Sequence, residues 1–132
     1  MFQRLLLFVV IPFGLAGGAL AEPSKLAGEV LRQAVSGKTV LIETPLGAFP
    51  TRYKGDGTMI GQAPVFVATL GPAKDRGQWW VADNRLCQRW YRWLDAKQHC
   101  FKLQRVGATV HWLRGDGLSG TATIRAPLAR LR

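Results

Sequence analysis

Gly77–Val106 reads GQWWVADNRLCQRWYRWLDAKQHCFKLQRV, and this stretch decides the fold class. Gln78–Ala82 is short, aromatic and β-branched, and Asp83-Asn84 follows with turn chemistry. Arg85–Trp93 returns, Asp95-Ala96 turns again, and His99–Val106 forms the next predicted strand. The rhythm continues: Gly107 turns, Thr109–Leu113 extends, and Gly115-Asp116-Gly117 leads into Ser119–Arg125. Strands spaced in this way and joined by short turns predict an antiparallel meander. Such a meander either closes into a small up-and-down barrel or curls over a helix. The fold class is therefore mainly β.

The two cysteines of the chain, Cys87 and Cys100, both fall inside this stretch. An isolated pair in an exported protein reads as one disulfide. A loop of 14 residues closed in this way stabilises a domain by about 3 kcal/mol in the chain-entropy model. The competing use is a metal site built from Cys87, His99, Cys100 and His111. That spacing matches no zinc pattern, and neighbouring strand residues such as His99 and Cys100 point to opposite faces. If Cys87 faces Cys100, then Leu86 faces Phe101 and Gln88 faces His99. Alternation then gives Leu86, Trp90, Phe101 and Leu103 to the core. The opposite face carries Arg85, Arg89, Tyr91, Trp93 and Lys102 with the disulfide. Cations interleaved with aromatic rings suit an anionic polymer or envelope component.

Upstream, the pattern is sparser. Pro23-Ser24 opens a predicted helix from Lys25 to about Ser36, with Ser24 as N-cap and Leu26, Val30, Ala34 and Val35 on its apolar stripe. Gly37 follows at the position that favours left-handed backbone. Thr39–Ile42 and Ala48–Lys54 read as strands, with Pro50 marking an edge or bulge. Lys54–Gly57 is a turn, Val65–Leu70 a further predicted strand, and residues 71–77 a polar loop.

The first 21 residues read as a cleaved secretory signal peptide. Arg4 precedes a nearly continuous apolar run, Leu5–Leu15, and Ala19-Leu20-Ala21 offers a cleavage site. The run is shorter than the roughly 20 residues of a membrane span, so cleavage leaves no transmembrane segment. The expected organisation is 1–21 signal peptide, 22–37 short N-terminal helix, 38–125 antiparallel β domain and 126–132 basic tail. The expected location is periplasmic or secreted. Losing Arg4 lowers the 18 Lys and Arg to 17 against 8 Asp and Glu, a mature charge of +9. A field of that sign draws anionic partners.

Gly77-Gln78-Trp79, Leu86-Cys87-Gln88-Arg89-Trp90 and Cys100-Phe101, with Asp56-Gly57 and Gly61 ahead of them, form a pattern over residues 38–115. It resembles a family of small secreted bacterial domains of unknown function, with G-x-W, L-C-x-x-W and C-F elements. The resemblance implies an extracellular or periplasmic domain and carries over no catalytic residue. Trp80 and the basic run Arg89-Trp90-Tyr91-Arg92 depart from the pattern. Gly-x-Trp also occurs in lipocalin-like barrels, where it opens the first strand; here it falls mid-chain.

For function, the sequence offers no convergent catalytic constellation. Asp56, Asp75, Asp83, Asp95 and Asp116 all fall where turns are expected, and no metal or cofactor is called for. The leading expectation is a non-catalytic domain that binds an anionic or amphipathic partner through its basic and aromatic face. The alternatives are a small barrel carrying an apolar ligand and, behind it, a hydrolase. The oligomeric state is left open.

Overall fold

The computed structural model describes Val10, Gly14 and residues 22–45, 47–63 and 71–126. The expected signal peptide, apart from Val10 and Gly14, the strand expected at Val65–Leu70 and the tail beyond Ala126 lie outside the described residues. The elements are β1 (Ser24–Leu26), α1 (Gly28–Val35), β2 (Lys38–Thr44), β3 (Gly47–Tyr53), β4 (Thr58–Gln62), β5 (Lys74–Ala82), β6 (Arg85–Trp90), β7 (Gln98–Val106), β8 (Thr109–Arg114) and β9 (Ser119–Arg125). From β2 to β9 each strand pairs antiparallel with the next. Strand β9 then returns to β2, through Val40↔Ile124 and Ile42↔Ala122, and closes an eight-stranded barrel. Closure gives every barrel strand a partner on each side over at least part of its length, which largely removes the open edges that would pair with another chain.

The cysteine register is as the sequence predicts. Cys87 pairs with Cys100, Leu86 with Phe101 and Gln88 with His99, and the disulfide joins the two strands. The turn Asp83-Asn84 has φ of 52° and 57°. Those are the two positive values that a two-residue type I′ hairpin requires, and Asp and Asn tolerate them well. Pro50 lies past the end of the β4 ladder, which reaches only Thr51, so its missing N–H interrupts no bond there.

Three expectations need correction. The helix begins at Gly28 rather than Lys25, and Ala27, not Ser24, is its N-cap. Ser24–Leu26 instead pairs with Arg105–Leu103 of β7. It takes the edge that β6 leaves free beyond Phe101, and those ladder bonds outweigh a marginal extra helical turn. The buried stripe is consequently Leu31 and Val35, with Ala34 beside them and Val30 exposed. Second, β4 arises from Thr58–Gln62, which composition does not mark as a strand. Third, residues 74–77 belong to β5 rather than to a loop.

Helix α1 plugs one end of the barrel, where Leu31 and Val35 are fully buried. The turns at 54–57, 83–84 and 107–108 share that end. Gly37 N–H donates to the Tyr53 carbonyl at 2.7 Å and fastens the helix exit to β3. Tyr53 and Trp79 meet edge to face at 5.8 Å, and Trp79 Nε1 donates to the Lys54 carbonyl. The opposite end carries Tyr91–Lys97 and Gly115–Leu118. No helix among the described residues is long and apolar enough to cross a membrane.

Candidate binding cavity

Alternation along the strands sends one set of side chains into the barrel. These include Val40 and Ile42 of β2, Phe49, Thr51 and Tyr53 of β3, Leu86, Gln88 and Trp90 of β6, Phe101 and Leu103 of β7, and Val110, Trp112 and Arg114 of β8. An eight-stranded barrel is just wide enough either to be filled by such side chains or to hold one small ligand. Here a cavity of about 390 Å³ remains, within the size range of small-molecule sites. Val35 of α1 closes it at the plugged end. Ala63, Gly71, Pro72, Trp93, Leu94 and Arg114 surround its other end.

The centre stays open because the largest rings press onto the wall, where glycines make room. A Cβ on Gly61 would stand 2.5 Å from both Trp90 and Trp93, and one on Gly120 2.5 Å from Trp112. Trp90 and Trp93 pack with centroids 4.7 Å apart, and Phe101 meets Trp112 edge to face at 5.6 Å. Indole N–H groups bond to the wall itself, Trp93 to the Pro72 carbonyl and Trp112 to that of Thr121. The rings therefore offer their carbon surfaces to the interior.

Polar groups in the lining are few. Tyr53 donates its hydroxyl hydrogen to Gln88 Oε1 at 2.7 Å, across the interior from β3 to β6. Full burial pushes the Tyr53 phenol well above its ordinary value, because the phenolate would have no water. Arg114 stands at the mouth with Nε and Nη2 bonded to the two carboxylate oxygens of Asp116, at 2.8 and 2.6 Å. That pairing, with the Leu118 N–H, holds Asp116 far below the usual carboxylate range. His99 is pushed down by partial burial first and by the nearby Arg114 charge second.

Trp93 reaches the cavity because Asp75 bends the chain. The Asp75 carboxylate is buried and accepts three backbone hydrogen bonds, from Arg76, Arg92 and Trp93, at 2.8 to 2.9 Å. Tyr91 N–H also donates to the Arg76 carbonyl. The chain leaves β6 at Trp90, so strand parity ceases to count at Trp93. That residue turns from the outer face, where alternation placed it, into the lining. Leu94, Asp95 and Ala96 then follow with φ near 55° each, a left-handed run.

The other residues of the expected face stay outside the barrel. Arg89, Tyr91 and Lys102 are exposed, Arg85 is half-buried near Asp83, and Trp80, Cys87 and Cys100 form a row between strands. Both cysteines are bonded to each other, which removes them from any metal site. Residue patterning offers a barrel carrier only as an alternative and does not locate the cavity. Its one signal in the sequence is glycine in strand positions that face large aromatics, at Gly61 and Gly120, and only the ladder shows which ring each glycine meets. No protein-family model, curated protein or solved structure matches this chain.

Proposed function

We propose that the barrel binds a small apolar molecule in its interior and acts as a carrier or sequestering protein. The observation that carries this reading is the cavity of about 390 Å³, walled by aromatic and aliphatic side chains and stoppered at one end by α1. Filled with water, it would hold on the order of a dozen molecules at ~30 Å³ each, with few polar groups to bond them. An apolar tail replaces that water at a gain of ~0.8 kcal/mol per buried CH₂. Among the described residues that line it there is no Asp, Glu, His, Ser or Cys, which favours binding over catalysis. The disulfide supports export to an oxidising compartment, periplasmic or extracellular.

Titration of the purified protein with the neutral probe N-phenyl-1-naphthylamine tests the reading. Saturable fluorescence enhancement at one probe per chain is expected. Ala122→Leu, which adds carbon to the lining, should weaken binding at least tenfold while the circular dichroism stays unchanged. Enhancement that never saturates, or that ignores a folded Ala122→Leu variant, would remove the cavity from consideration.

A second reading rests on the outer face, where Arg89, Tyr91 and Lys102 remain exposed beside the disulfide. It assigns these residues to an anionic polymer or envelope component, with affinity that falls steeply as salt rises. Absence of binding to single-stranded nucleic acid and lipopolysaccharide at low salt counts against it.

A further inference from the structure

We infer that the cavity's ligand is a single-chain amphiphile with an anionic head, its tail in the barrel and its head on the Arg114 guanidinium at the mouth; this rests on the cavity reading above. Inward positions of β8 alternate as Val110, Trp112 and Arg114, so the barrel places a cation where the pattern calls for another apolar side chain. The Arg114 side chain is only 18% exposed. Holding a charge that far from water is unfavourable unless it is paired.

Asp116 supplies part of the pairing. The two bonds use Nε–H and one hydrogen of Nη2, and a guanidinium carries five N–H donors, so three have no acceptor among the described residues and can serve a ligand. A planar carboxylate matches that fork, and a charge-assisted bond there is short and strong. The wider field agrees. Arg114 and Lys97 both lower the His99 value, which marks a positive potential around the mouth that Asp116 offsets only in part. A cationic head would meet that potential unfavourably, and a neutral head would leave the three donors without an ionic partner. At the deep end, Tyr53 and Gln88 bond to each other, so a tail that stops against them displaces no hydrogen bond.

The alternative account of Arg114 is a purely structural clamp that ties the strand end to the Gly115–Leu118 turn. The two accounts separate on ligand preference. Sodium decanoate, 1-decanol and decyltrimethylammonium share a tail length and differ in head. Each is measured by displacement of N-phenyl-1-naphthylamine from the full chain. Decanoate is expected to bind at least tenfold more tightly than decanol, and decyltrimethylammonium more weakly than either. Arg114→Gln should abolish the decanoate preference and leave decanol within about twofold. Asp116→Asn should act in the opposite direction and tighten decanoate, because it frees the guanidinium. Arg89→Gln, on the outer face, should leave the preference intact, which separates a local contact from the general pull of a chain of net charge +10.

Equal binding of decanoate and decanol by a protein that binds the naphthylamine probe would overturn the head assignment and leave the cavity reading standing. So would loss of the preference in Arg89→Gln as great as in Arg114→Gln, or weaker decanoate binding in Asp116→Asn. Failure of the naphthylamine probe itself would take down both.

Discussion

The two ends of the barrel are built differently. At the plugged end, α1 seals the interior with fully buried Leu31 and Val35, and a two-residue turn joins β5 to β6. At the mouth, the chain between β6 and β7 runs through three successive left-handed residues, and Leu94 and Leu118 stand exposed. Left-handed backbone costs an ordinary residue roughly 1–2 kcal/mol. Such strain persists only where neighbours hold it, here the Asp75 carboxylate. The lesson is a division of labour. One end supplies stability through apolar burial, and the other gives some of it up to keep an opening lined by Trp93 and Arg114.

The largest effect expected from breaking this contrast is at the plug. Leu31→Ala deletes a fully buried side chain and should destabilise by about 2–5 kcal/mol, read by urea denaturation. A loss below about 1 kcal/mol would show that α1 is an accessory rather than a stopper. Asp75→Ala comes next. It leaves the Arg92 and Trp93 N–H groups without their acceptor, at an expected loss of about 1–3 kcal/mol. Hydrogen exchange should quicken at residues 91–97 and stay slow in α1. Uniform quickening would mean that the mouth has no local stability of its own.

The smallest effect is in pH: carboxylates at both ends act on the acid side, and only the plugged end adds an alkaline limb. Asp116 at the mouth, and Asp56 in the turn at the plugged end, have lowered values in the folded state. Their stabilisation is complete above the unfolded value of about 4 and is lost as pH falls toward the folded one. Tyr53, near the plug, has a raised value. The folded phenol stays protonated while the unfolded one ionises near pH 10, so stability falls as pH rises beyond that point. Melting temperatures should therefore drop at both extremes. Asp116→Asn should flatten only the acid limb, and Tyr53→Phe only the alkaline one. An alkaline limb unchanged in Tyr53→Phe would place the cause elsewhere.

Legibility in the sequence follows the range of the interactions. From β6 to β9, alternation and turn residues lie within a few positions of one another, and the elements read directly. The pair Cys87 and Cys100 carries the register because a cross-strand bond admits few alignments. The missed elements are those set by distant partners. Strand β4 contains Gly61, poor strand material until Trp90 and Trp93 need its space. Strand β1 exists because β7 is longer than β6 and offers an edge. Asp75 looks like a turn residue until the backbone of Arg92 and Trp93 turns toward it.

By itself, then, the sequence determined a mainly β chain, a meander with one short helix, and a disulfide whose register sorts Leu86 and Phe101 inward. Period-two patterning and turn chemistry are local, and they survive without knowledge of what lies across the sheet. Only the tertiary structure decided that β9 closes onto β2, that Trp93 leaves the outer face for the interior, and that rings resting on glycines leave the centre open. Each depends on contacts between residues far apart in the chain, where the space one side chain occupies is set by the absence of another.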